Sequence, residues 1–285
     1  MESQRSAKER QRWHINSILV ILKNRSRACA RIIRIPLFIQ SKIFVLNGGP
    51  IFHRGRLDGS SRVLLIGQDP AQNEAIVRRI LVGEAGQRIQ GFLAKLGIDR
   101  SYVMINTFLY SVYGSVSAKN KKAAGIIDYR NRWLKALLVG QKIEAVITLG
   151  VLADEAWKTW SATPDGQSVV VTYVPITHPT QPESASDGDK EKLRVATKAM
   201  LAKWNAALQT LHAATQHPDR VQALIPYGES WQPGDKVLIP EFDFPPGLPA
   251  WMRESDNWAR RAGADVNAKR RNITIMVPKA LVPKL

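Results

Sequence analysis

The chain has 285 residues, 45% of them hydrophobic, which suits one domain with a substantial core plus extensions. It carries 41 Lys and Arg against 24 Asp and Glu, a formal net charge of +17, and charge of that sign and size points to polyanions, nucleic acid first. A single cysteine, Cys29, excludes an internal disulfide and a cysteine-ligated iron–sulfur cluster. The five histidines show no metal-ligand spacing, and no apolar run is long enough to span a membrane.

In chain order, residues 1–46 read as a basic N-terminal arm. Arg25, Arg27, Arg31 and Arg34 share either a helical or an irregular basic face, and a solvated amphipathic helix accounts for them equally well. The arm lacks a small-residue cleavage pattern, so it is expected to be retained, in a reducing cytoplasm. Asn47-Gly48-Gly49-Pro50 punctuates the entry to a core domain over 47–212. Residues 62–66 are predicted as a strand, Ile76–Leu81 and Gln87–Leu96 as helical stretches, with Gly97 stopping the second. A strand over 102–106 precedes a long polar loop from Tyr110 to Ile126. Tyr129–Val139 suits an amphipathic helix with Trp133, Leu134, Leu137 and Leu138 inward. Ala145–Leu149 is a strand, and Gly150 turns into a helix from Val151 to Trp160. A strand over 169–176, a flexible acidic loop from Pro182 to Asp189 and a long helix from Lys190 to Leu211 complete the core domain. Strands alternating with helices in this way predict an α/β fold, a three-layer α/β/α sandwich around a parallel sheet of about four strands. Residues 213–285 form a Pro- and Trp-rich C-terminal extension that either wraps the core domain or makes a small accessory unit.

Three motifs sit at strand ends. Gly67-Gln68-Asp69-Pro70 follows Val63-Leu64-Leu65-Ile66, Asn106 follows Tyr102-Val103-Met104-Ile105, and Thr177-His178-Pro179-Thr180 follows Val169–Ile176. Each preceding run is apolar without alternation, as in a buried parallel strand. Ligands of open parallel sheets bind outside the carboxyl ends of the strands, so an acid, an amide and an imidazole reach one rim. Singly, each has an ordinary explanation: Asp69 as a turn residue before Pro70, Asn106 as a strand closure, His178 as a loop histidine. Together, in this order, they read as a site.

These motifs resemble the uracil-DNA glycosylase superfamily. Family-1 enzymes of that superfamily carry Gly-Gln-Asp-Pro-Tyr-His, which is Gly67-Gln68-Asp69-Pro70-Ala71-Gln72 here. Their base-reading Asn follows an apolar strand, as Asn106 does, and their His-Pro-Ser signature is His178-Pro179-Thr180 here. Val82-Gly83-Glu84-Ala85-Gly86-Gln87 is similar to a Val-Gly-Arg-Ala-Gly-Gln run of the family-4 enzymes. The resemblance covers roughly residues 47–212. It implies a DNA glycosylase in which Asp69 activates water and His178 hydrogen-bonds the departing uracil anion. Chemistry agrees, because the sugar develops positive charge and the base negative charge as the bond breaks. The Asn106 amide matches the carbonyl and imide edge of uracil, whereas cytosine presents the opposite pattern.

The same resemblance implies that Gly67, Gln68 and Ala71 help form the base pocket, with Leu81 at the position of the stacking aromatic and Phe92 or Phe108 as alternative rings. Ala71 replaces the Tyr that excludes the thymine methyl in family 1. Pro179, Thr180 and Gln181 are placed against DNA. The wedge that fills the vacated stack is a Leu in family 1, and here Gln181, Pro182 or the loop at 114–122 takes that place. The expected protein is a monomeric glycosylase acting on uracil-containing DNA with water as second substrate, without metal or cofactor. The alternatives are a glycosylase for another deaminated base, or a non-catalytic binder of uracil-containing or abasic DNA.

Overall fold

The computed structural model of the chain describes residues 44–45, 50–112, 123–254, 258–265, 268–269 and 272–281. Of the predicted basic arm only residues 44–45 are described; Cys29 and the loop at 114–122 lie outside the described residues. At the centre is a five-stranded sheet in the order β2-β4-β3-β6-β7. Its members are β2 (His53–Gly55), β3 (Val63–Gly67), β4 (Tyr102–Asn106), β6 (Ala145–Leu149) and β7 (Thr172–Ile176). The last four are mutually parallel, and β2 adds one antiparallel edge. A separate antiparallel pair joins β1 (Phe44–Val45) to β5 (Ser111–Val112).

Every residue of β3, β4 and β6 is buried. Successive side chains of a strand point to opposite faces, so unbroken apolar runs feed two cores at once. Val63, Leu65, Tyr102 and Met104 enter one core, closed by α2 (Glu84–Lys95) and α7 (Lys190–Ala214) through Phe92, Leu93 and Trp204. Leu64, Ile66, Val103 and Ile105 enter the other, closed by α3 (Ala124–Leu138) and α4 (Val151–Ser161) through Leu134, Trp157 and Trp160. Helices therefore cover both sheet faces, and the α/β/α sandwich is the observed fold. No described helix is long and apolar enough to cross a membrane.

Four local expectations need correction. The helix predicted over Ile76–Leu81 lies earlier, as α1 (Gln72–Val77), because Arg78 turns left-handed at φ 63° and ends it. The run at 169–176 supplies strand only from Thr172. It is a half-exposed edge, which is where Pro175 is tolerated because its missing N–H breaks no inner ladder. The acidic loop after Pro182 is helical over α6 (Gln181–Ser186), following a short α5 (Pro164–Gln167) earlier in the chain. Trp133 is only half-buried, while Leu134, Leu137 and Leu138 face the core as expected.

Residues beyond 213 pack directly on the sandwich. Asp219 accepts the backbone N–H groups of Asp99, Arg100 and Ser101 at 2.7, 2.6 and 2.9 Å. Burial pushes its carboxyl up, but the Ser101 hydroxyl and these three donors outweigh that and hold it below the usual range. Tyr227 and Trp231 stack edge-on to Trp204 at 5.7 and 5.8 Å. Asp243, in a single helical turn (Glu241–Asp243), meets Arg54 of β2 at 3.0 Å with both side chains buried. A third apolar cluster joins Val77 and Val82 to Ile239, Met252 of α8 (Trp251–Glu254) and Trp258. The final ribbon, β8 (Ala259–Arg261) paired with β9 (Ile273–Ile275), lies against α1.

Candidate active site

The strand register sets the rim. Gly67 pairs with Asn106 at the ends of β3 and β4. The Asn106 amide oxygen occupies the space a Cβ at residue 67 would need, so a side chain there would displace it. The chain leaving β4 then clasps the first motif. Thr107 donates its N–H and its hydroxyl to the Gly67 carbonyl, both at 2.9 Å, and Phe108 N–H donates to the Gln68 carbonyl at 2.9 Å. Asn106 is buried, and among the described residues its amide has no hydrogen-bond partner. An amide left unspent beside this rim is available to a ligand.

β6 and β7 deliver the imidazole. Leu149 pairs with Ile176, and Gly150 N–H donates to the Ile176 carbonyl at 2.9 Å. Gly150 has φ +84°, and a Cβ there would lie 2.7 Å from Gln68 Nε2 and 3.2 Å from the His178 Cβ. A glycine at this crossing therefore lets Gln68 and His178 approach one another. Trp204 of α7 donates its indole N–H to the Thr177 carbonyl at 3.1 Å, holding the loop from below.

The proton on His178 can be placed from its neighbours. Thr180 N–H donates to Nδ1 at 3.3 Å, and the Thr180 hydroxyl lies 3.1 Å from the same nitrogen. A backbone N–H needs a lone pair on Nδ1, so the neutral ring carries its proton on Nε2. Burial, then the Arg88 charge, lower the His178 pKa to about 4 against a weaker opposing pull from Glu183. His178 is thus a neutral donor through Nε2 near pH 7.

Arg88 was not singled out in the sequence, although it directly follows Val82-Gly83-Glu84-Ala85-Gly86-Gln87 and stands at helical spacing from Glu84. Buried on α2, it donates to the Pro179 carbonyl at 2.5 Å and to Glu183 at 2.6 and 3.1 Å. It also pairs with Glu84 and lies 4.8 Å over the Trp231 ring. The His178-Pro179 turn is thereby tied to α2, to α6 and to the C-terminal extension at once. A second tie from the extension reaches the first motif: Arg261 donates to the Ser111 hydroxyl at 2.9 Å, and that hydroxyl donates to the Pro70 carbonyl.

The remaining predicted site residues fall as follows. Asp69 is half-buried between Gln68 and the buried Pro70. Ala71 is exposed at the start of α1, where its N–H donates to the buried Glu74 carboxyl at 3.1 Å. Pro179 and Pro182 are buried, whereas Gln181 is exposed. Leu81 is left-handed at φ 52°, with its side chain in the α2–α7 core. Phe92 is in that core too, edge-on to Trp204 at 5.3 Å, so Phe108 is the candidate ring that stays beside Asn106. A groove of about 690 Å³ runs past Gln68, Gly150, His178, Gln181 and Lys203. Asn106 instead lines a small cavity on the α3 side.

Fold and rim together define a class, a three-layer α/β/α protein whose candidate ligand site lies at the carboxyl ends of its central strands. The family follows from a match that takes in more than half of the chain. The model of the uracil DNA glycosylase superfamily covers residues 54–209, and the chain belongs to that superfamily. No curated protein matches it. Membership gives the general chemistry, a DNA glycosylase and hence a hydrolase of DNA repair with DNA as its substrate.

Proposed function

We propose that this protein excises uracil from DNA, hydrolysing the N-glycosidic bond to leave an abasic site. The observations that carry the reading are a neutral, Nε2-protonated His178 and an unspent Asn106 amide, each at the carboxyl end of a strand of the one parallel sheet. An amide offers a donor and an acceptor side by side, which is the complement of the uracil edge. A neutral donor gains strength as the base becomes an anion, so it favours the transition state over bound substrate. Asp69, one residue beyond Gln68, faces the developing positive charge of the sugar and orients the attacking water. Gln68 and the Gly67 backbone frame the pocket, and Pro179, Thr180 and Gln181 border the DNA strand. The protein acts as a monomer, in a reducing cytoplasm consistent with its lone cysteine.

One observation favours a second reading. Ala71 is small and exposed where family-1 relatives place a Tyr against the 5-position of the base. A wider slot there suits a glycosylase with a broader choice of deaminated or 5-substituted bases. The deciding experiment is release of free base from oligonucleotides carrying uracil, hypoxanthine, xanthine or 5-substituted uracils, with EDTA present. Uracil release slowed about a hundredfold or more in Asp69→Asn, with DNA still bound, supports the proposal. Release of another base in preference to uracil favours the second reading. Binding without release of any base refutes excision.

A further inference from the structure

Among the buried polar groups of the described residues that lack a hydrogen-bond partner, Arg130 is a charged one that neither the fold nor the proposed chemistry uses. Arg130 of α3 is 7% exposed. Its Nε is buried without a partner. Among the described residues its guanidinium makes no hydrogen bond and no ion pair. Burial alone lowers its pKa to about 10, and no carboxylate compensates. A buried cation without a counter-charge is among the costliest arrangements a folded chain can hold. The other buried arginines among the described residues are paired: Arg54 with Asp243, and Arg88 with Glu84 and Glu183.

Arg130 lines a partly enclosed cavity of about 40 Å³ between α3 and the chain leaving β4. The aromatic side of the lining comes from Phe52, Tyr129 and Trp133, and the strand-end side from Asn106 and Thr107. Gly125, in the first turn of the 15-residue α3, lines it too. That helix has Ala123 at its N-cap and no side-chain cap, so its first N–H groups keep their partial positive charge. Two independent sources of positive potential thus meet in one pocket, and the described residues that line it include no carboxylate. At roughly 10–15 Å³ per water-sized group, the cavity admits about three such groups, which suits the oxygens of a phosphate.

We propose that this cavity is a phosphate site, in which Arg130 and the α3 N-terminus hold a backbone phosphate of the DNA. Asn106 lines the same cavity, so the phosphate held there is one next to the nucleotide that Asn106 reads. That placement rests on the base-reading role given to Asn106 above. Arginine suits the task because its planar fork presents paired donors to phosphate oxygens. The cost of burying it unpaired is borne by the free protein and relieved when DNA binds.

The test uses the full chain and an oligonucleotide with a tetrahydrofuran abasic analogue, with binding followed by anisotropy from about 50 to 200 mM salt. Arg130→Met should weaken binding about tenfold or more and lower the slope of log affinity against log salt by about one. Its Tm without DNA should be unchanged or a few degrees higher, because an uncompensated buried charge has been removed. Arg130→Lys, which keeps the charge but loses the fork, should bind with intermediate affinity and guards against a folding failure of the Met variant. Wild-type affinity and slope in a folded Arg130→Met protein would overturn the proposal. So would a Tm several degrees lower in both variants, which marks Arg130 as structural. Inorganic phosphate separates the sources. If it raises the Tm of the wild type alone while DNA affinity stays equal in both proteins, the pocket serves free phosphate and the DNA assignment falls. Base release is scored apart, so Arg130-dependent binding without uracil excision refutes the proposed activity and leaves the phosphate site standing.

Discussion

His178 offers the sharpest test of the site, because its protonation state follows from geometry. Thr180 N–H faces Nδ1 and sets the tautomer; burial penalises a charged ring and the Arg88 cation adds its field, so the pKa falls from 6.5 to about 4. At pH 6 such a ring is about 1% protonated, whereas an unperturbed one would be mostly charged. Single-turnover excision should therefore show no His178 ionisation between pH 8 and about 5.5. Stability carries the same signature. Above pH 6.5 the ring is neutral in both folded and unfolded chains and contributes nothing. Between 6.5 and 4 the unfolded chain binds a proton that the native state refuses, so stability is lost as pH falls through that window. The drop corresponds to at most about 3 kcal/mol. In His178→Ala this loss should vanish, and the chemical step should slow by about a hundredfold or more while DNA affinity changes little. The assays are single-turnover rates, urea melts at several pH values and an NMR titration of the ring. A titration midpoint near 6.5, or equal losses in binding and rate for the Ala variant, would refute a neutral, transition-state donor.

Two further perturbations follow from distances in the structure. Gly67→Ala places a methyl group in the space of the Asn106 amide oxygen, so it should cut excision at least tenfold while the fold is kept; unchanged rates in a panel of uracil oligonucleotides would separate Asn106 from the reaction. Asp243→Ala removes the partner of the fully buried Arg54 and an acceptor of the Tyr102 hydroxyl at 2.6 Å, and should cost about 3–5 kcal/mol in urea unfolding. Pairing it with Arg54→Met should recover much of that loss, and a cost below about 1 kcal/mol would mean that the extension is not anchored there.

Much of the architecture was legible in the chain because inner parallel strands are buried on both faces. Val63–Ile66 and Tyr102–Ile105 have to be apolar at every position, and the polar residue that ends each run is therefore conspicuous. That is how Gln68, Asp69 and Asn106 stood out. Local signals failed where tertiary contacts set the conformation. The helix after the first motif ends early at Arg78, in a left-handed turn that no glycine announces. The short α6 forms in an acidic stretch that reads as loop, where Glu183 is bound by Arg88 from across the fold. The antiparallel β2 edge spans three residues, too few for periodicity to show.

By itself, then, the sequence determined the fold class, the order of the motifs and the kinds of group at the rim, because burial and strand period act residue by residue. Tertiary structure decided what those groups can do. The Arg88 bond to the Pro179 carbonyl and the Arg261–Ser111–Pro70 tie join distant positions, and the Asn106 amide is left unshared only because packing brings it no partner among the described residues. Arg130 makes the point most plainly. Along the chain it is one of 41 Lys and Arg residues; only packing shows that it is buried with no counter-charge among the described residues, since counter-charges are supplied through space and not by sequence spacing.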